Sequence, residues 1–126
     1  MYKFSQKSKD KLQGVNPDLV KVIYRALELS EVDFGITEGV RTRERQEYLY
    51  NSGKSKTMNS RHLTGKAVDV VAFINGVVSW DLKEYAKINE AFQKASLELG
   101  IPIIWGGSWK SFVDGVHFEL DRRVYP

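Results

Sequence analysis

The sequence of 126 residues contains no cysteine. Disulfide bridges are therefore excluded, and any metal site must draw its ligands from nitrogen and oxygen. A chain that needs no bridges suits a reducing cytoplasm. Histidine is nearly as scarce, with two in the whole chain, His62 and His117. No uninterrupted apolar run approaches the roughly 20 residues of a membrane-crossing helix, so no membrane insertion is expected. The opening segment from Met1 to Asp10 is polar and has no apolar h-region. It predicts no Sec-type signal peptide, and loose packing of this first stretch.

What is present is ordinary for a globular chain: 42% hydrophobic and 28% charged residues. The length fits one domain over residues 1–126, and neither an internal repeat nor a linker interrupts it. A monomer is the expectation. The net charge of +3 is mildly basic. It favours an anionic partner such as nucleic acid, acidic lipid or bacterial wall polymer, or it simply keeps the surface soluble. A nucleic-acid-binding domain would need stacking aromatics on an exposed basic face. No recognised motif for that occurs, so no nucleic-acid partner is expected.

The pattern of elements predicts an α+β fold. Asn16-Pro17-Asp18 reads as a helix start, and Leu19, Val20, Ile23, Ala26 and Leu27 follow at helical spacing down to Ser30. Phe34 to Val40 reads as a strand, and Thr42 as the cap of a short helix carrying Tyr48 and Leu49. Residues 52 to 61 form a polar, lysine-bearing loop. Ala67 to Ile74 is a valine-rich strand, and Asn75-Gly76 predicts a hairpin back into Val77-Val78. Asp81 and Glu84 resemble a capping box ahead of a helix whose apolar face is Tyr85, Ile88, Phe92, Ala95 and Leu99. Gly100 and Pro102 stop it, and Ile101 to Trp105 and Val116 to Leu120 read as the last strands. This order argues for a small, mostly antiparallel sheet with flanking helices.

The chemistry gathers around the two histidines. His62 ends the polar loop just before a strand. Asp69 lies within that strand, where a carboxylate is costly to bury unless it is paired or bound to a metal. His117 lies in a second strand-like run, directly after Asp114-Gly115-Val116. Two imidazoles and one carboxylate make a plausible three-ligand catalytic zinc site, whose fourth position is left for water.

The run from Ser60 to Asp69, Ser-Arg-His-Leu-Thr-Gly-Lys-Ala-Val-Asp, resembles the Ser-x-His-x-x-Gly-x-Ala-x-Asp signature of the D-Ala-D-Ala carboxypeptidase and hedgehog-like zinc peptidases. Asp114 to His117 resembles their acid-x-x-His motif. Further runs are similar to the small phage endolysins of this group, L-alanyl-D-glutamate endopeptidases that cut the stem peptide of peptidoglycan. These are Gly39 to Thr42, Ile74 to Gly76 and Glu98 to Ile101. The resemblance implies a hedgehog/D-Ala-D-Ala peptidase-like fold and one catalytic zinc on His62, Asp69 and His117. It implies Asp114 as general base and acid, with Glu119 as the competitor for that role or as a support for a ligand. Arg41 would face the carbonyl that develops negative charge, or else stay solvated beside a helix cap. Ser60 would touch substrate or cap its loop. Gly65 would permit a close approach of backbone.

Trp105 and Trp109 could floor a peptide groove or pack in the core. Lys54, Lys56, Arg61 and Lys66 could meet acidic groups of the stem peptide or stay hydrated. Some phage relatives carry a longer acidic loop that binds a regulatory calcium. Here Asp114 is the sole acid between Gly107 and Gly115, and calcium regulation is not carried over. The implied partner is bacterial peptidoglycan. The implied setting is the host cytoplasm, from which the periplasmic wall is reached once the membrane is breached. The rivals on the same fold are a D-Ala-D-Ala carboxypeptidase or dipeptidase, and a non-catalytic zinc-containing binding domain.

Overall fold

The computed structural model describes residues 2–126. In chain order it contains α1 (Gln6–Lys11), α2 (Pro17–Leu29), β1 (Asp33–Glu38), α3 (Arg43–Asn51), β2 (Ala67–Ile74), β3 (Val77–Ser79), α4 (Leu82–Leu99), β4 (Ile103–Trp105) and β5 (His117–Leu120). Two 3-10 turns, Arg61–Thr64 and Gly106–Ser108, precede β2 and follow β4.

Helix starts follow the side chains that cap them. Asn16 accepts from the Asp18 N–H at 2.9 Å ahead of Pro17, and Thr42 accepts from the Arg45 N–H at 3.1 Å. Asp81 caps α4 through the Lys83 N–H. The reciprocal half of the expected capping box is replaced: the Asp81 N–H donates to the Ser79 hydroxyl rather than to Glu84.

The sheet runs β1-β2-β5-β4 and every pairing is antiparallel. β2 is its axis. β1 lies along one edge, while β5 and then β3 share the other, pairing with the first and last residues of β2 respectively. Strand alternation then divides the residues between two faces. Val68, Val70, Ala72, Phe118 and Leu120 turn towards α2 and α4 and are fully buried. There Phe92 stacks on Phe118 with ring centroids 4.0 Å apart. Asp69, His117 and Glu119 turn to the opposite face, which the loops cover.

The first residues depart from the expected loose packing. Ser5 caps α1, Phe4 enters the core edge-on to Phe34, and the buried Ser8 hydroxyl accepts from the Ile36 N–H at 3.0 Å. α1 therefore covers the outer edge of β1, where an open strand would expose unpaired N–H groups. Its six polar residues carry no apolar periodicity, which is why the pattern does not reveal it.

Candidate metal centre

Each of the two histidines is placed by its own turn. Ser60 accepts from the His62 N–H at 3.2 Å and caps the 3-10 turn, and Gly65 ends it in left-handed backbone at φ 72°. A Cβ on Gly65 would lie 2.6 Å from the Gly14 carbonyl oxygen, so the close approach expected of this glycine is present. His62 is tied to the segment after β1 from both sides. Its Nδ1–H donates to the Gly39 carbonyl at 2.9 Å, and its own carbonyl accepts from the Arg41 N–H at 2.9 Å. Because a carbonyl can only accept, Nδ1 carries a proton, and Nε2 is the nitrogen left for another partner. That nitrogen faces Asp69 Oδ1 at 3.2 Å.

His117 and Asp69 are directly paired across β5 and β2, which puts both side chains on one face. His117 Nδ1 lies 3.5 Å from Asp69 Oδ1, while its Nε2–H donates to Glu119 Oε1 at 2.8 Å. Glu119 is two residues on in the same strand, so alternation returns it to the same face. It thus orients the ring, as carboxylates commonly do behind a histidine ligand. Burial works against the charge on Glu119, but the bond from His117 outweighs it and holds the carboxyl below its usual range.

Ligand atoms of His62, Asp69 and His117 all lie within 4.8 Å of one another. Burial opposes the Asp69 charge as well. Hydrogen bonds from His117 and His62 overcome it and hold its pKa well below the carboxylate range. His117 also loses by burial, yet its bonds to Asp69 and Glu119 push it up to about 9. Two imidazole nitrogens aimed at one carboxylate, each with its second nitrogen already engaged, form the nitrogen–oxygen donor set that suits zinc.

Asp114 reaches the same cleft through a tight turn. Its carbonyl accepts from the His117 N–H at 3.1 Å, so the acid-x-x-His spacing is a single turn closing onto β5. Gly106 allows this: a Cβ there would meet the Asp114 carbonyl at 2.4 Å and the His117 Cβ at 3.0 Å. Among the described residues the Asp114 carboxylate has no hydrogen-bond or ion-pair partner. Burial, and then the charge of Asp69, raise its pKa against the pull of His117, His62 and Arg41.

Arg41 is buried, not solvated beside the helix cap. Its Nε–H donates to Glu38 at 2.7 Å, and its two terminal nitrogens donate to Gln46 Oε1 at 2.7 Å and to Asp69 Oδ2 at 3.5 Å. The cleft these residues line has a volume of about 340 Å³. Ser60 lines it too, besides acting as the cap. The tryptophans divide. Trp105 packs against the core and donates to the Gly115 carbonyl, whereas Trp109 lines the cleft with its ring 5.0 Å from that of His117. The basic cluster divides as well. Lys54 and Lys56 stay exposed on the cleft wall, with Lys56 5.6 Å above the Phe112 ring. Arg61 is mostly buried and holds the Leu120 and Tyr125 carbonyls, and Lys66 reaches the Pro126 carbonyl.

The arrangement has close counterparts. Residues 1–125 match the family model of the phage L-alanyl-D-glutamate peptidases. The chain is 38% identical to the L-alanyl-D-glutamate peptidase of Escherichia phage T5, over 98% of its own length and 93% of that protein. The chain belongs to the phage L-alanyl-D-glutamate peptidase family. A second member, from Listeria phage A118, is 37% identical over 78% of this chain, but the match spans 34% of that longer protein. Among solved structures, the Serratia marcescens L-Ala D-Glu endopeptidase ChiX superposes with a TM-score of 0.91 at 51% identity, covering 95% of this chain and 90% of that one.

In this family member, sequence reading missed Gln46 and Glu38. Both are bonded to Arg41, Gln46 fully buried and Glu38 partly so, and nothing in their immediate neighbours marks them as its partners. The signal available was the spacing of Arg41 and Gln46 about the Thr42 cap.

Proposed function

We propose that this chain is a zinc-dependent endopeptidase that hydrolyses the bond between L-Ala and D-Glu in peptidoglycan stem peptides and so lyses the host cell. The observation that carries the reading is the meeting of His62, Asp69, His117 and the unpaired Asp114 in one cleft of a chain that matches the phage family from end to end. When bound, zinc supplies Lewis acidity towards the scissile carbonyl and acidifies water.

The rest falls to the chain itself. Asp114 takes the proton from the attacking water and returns one to the leaving amine of D-Glu; its raised pKa brings it nearer to the working pH. Arg41 fixes the second oxygen of Asp69. Its remaining N–H groups line the cleft, where they can meet the negative charge developing on the L-Ala carbonyl oxygen. Glu119 keeps the His117 ring in place. Ser60 on the cleft wall contacts the substrate backbone, and the exposed Lys54 and Lys56 attract the carboxylates of the stem peptide. No helix among the described residues is long and apolar enough to cross a membrane. In this reading the protein is made in the host cytoplasm and reaches the wall once the membrane is breached.

Digestion of purified peptidoglycan tests this. The wild-type protein should bind one zinc per chain, and His62→Ala or His117→Ala should lose it. Dinitrophenylation of the digest should reveal new N-terminal glutamate, absent when a chelator is added. Free D-Ala without new glutamate amine would make the enzyme a carboxypeptidase. Full activity without stoichiometric zinc would remove the metal from the reading.

A further inference from the structure

Gln46 lies in a polar helix, Arg-Glu-Arg-Gln-Glu-Tyr-Leu-Tyr-Asn, yet none of its surface is exposed. A buried amide is destabilising unless its donors and acceptor are satisfied, and here all of them are. Its carbonyl accepts from Arg41 at 2.7 Å. Its amide donates to the Ser55 hydroxyl at 2.8 Å and to the Thr57 carbonyl at 2.6 Å. One side chain thus joins the guanidinium behind Asp69 to the loop of residues 52–60, which forms a wall of the cleft.

The spacing explains the meeting. Thr42 is the cap of α3, so Arg41 directly precedes the cap and Gln46 is the fourth residue of the helix. These two positions face each other in a hydrophobic staple, which fixes the angle at which a chain enters its helix. Here a hydrogen-bonded pair takes that place. Of the three groups that orient Arg41, Glu38 is shared with Arg45 at 3.7 Å and Asp69 belongs to the metal cluster. Glu38 ties the guanidinium to the end of β1, and Gln46 ties it to the loop that walls the cleft.

We propose that Gln46 is a positioning residue, which holds Arg41 against Asp69 and couples that contact to the cleft wall at Ser55 and Thr57. The proposal rests on the reading of the cleft as a peptidase site, but one of its readouts needs no substrate. With three different partners, rotation of the Arg41 guanidinium is hindered, and its two terminal nitrogens should give separate ¹⁵N resonances in the wild-type zinc-loaded protein. Gln46→Met removes every bond while keeping the volume. It should merge those resonances, retain one zinc per chain, and lower kcat by roughly 10- to 100-fold, less than removal of a whole oxyanion donor.

In an Arg41→Lys background the same substitution should add less than about twofold, because the two residues act as one unit. Gln46→Glu keeps an acceptor for Arg41 and loses the donors to the loop. It should keep the resonances separate, hold kcat above that of Gln46→Met, and raise KM. It also serves if Gln46→Met does not fold. Separate resonances in Gln46→Met, multiplicative losses with Arg41→Lys, or a Gln46→Glu kcat no higher than that of Gln46→Met would overturn the proposal. Failure of the wild-type protein to release N-terminal glutamate would instead strike the functional reading, and the resonances would still decide the role of Gln46.

Discussion

Asp69 and His117 are cross-strand partners in the β2–β5 ladder, with Asp69 Oδ1 3.5 Å from His117 Nδ1. The same Asp69 oxygen meets His62 at 3.2 Å, and its other oxygen meets Arg41 at 3.5 Å. One carboxylate on a valine-rich strand therefore gathers both histidines and the buried arginine.

Asp114 and Glu119 should separate by role. Asp114→Asn removes the free carboxylate to which the proton transfer is assigned in our proposal, and turnover should fall by roughly 10²- to 10⁴-fold while zinc is retained. Glu119→Gln keeps an acceptor facing His117, so its loss should be milder. Steady-state rates and metal content measured on both variants check this. A larger loss in Glu119→Gln would move the proton-transfer role to Glu119.

The metal-free protein should lose stability in alkali through His117. Its folded pKa is raised to about 9 from 6.5, so the native state binds this proton more tightly than the unfolded chain does. The stabilisation is fully present below about 6.5 and is lost as pH rises through about 9. Calorimetry of chelator-treated protein across that window should show Tm falling. His117→Asn should flatten the trend. A Tm of the metal-free wild type that does not fall there would contradict the assignment.

Ser8→Ala should destabilise the fold without touching the cleft. It leaves the buried Ile36 N–H without its acceptor, a loss of about 1–3 kcal/mol. Denaturant unfolding should show a lower midpoint with an unchanged slope, and zinc content should stay at the wild-type level. An unaltered midpoint would mean that the edge of β1 does not depend on α1.

Local chemistry was enough to read much of this protein from its sequence. The caps Asn16 and Thr42, the Asn75-Gly76 turn, the valine-rich β2 and the apolar face of α4 from Tyr85 to Ala95 act within a few residues, and each is found where its pattern points; Leu99, expected on the same face, is exposed in the last turn of the helix. His62, Asp69 and His117 were legible because histidine is scarce and a carboxylate in a buried strand needs partners. The remainder depended on contacts between segments far apart in the chain. Alternation within β5 puts Glu119 on the face of His117, but it was the register of β5 against β2 that set His117 opposite Asp69, and the turn before β5 that left the Asp114 carboxylate unpaired. Packing of α3 against the segment after β1 buried Arg41 and gave Gln46 its partners. The polar α1 acquired its place only from the open edge of β1 that it covers. Capping and periodicity are properties of neighbouring residues. The partner of a buried polar group is fixed only when the strands pair and the loops close over them, because its hydrogen-bonding capacity can be met by many residues until packing leaves one.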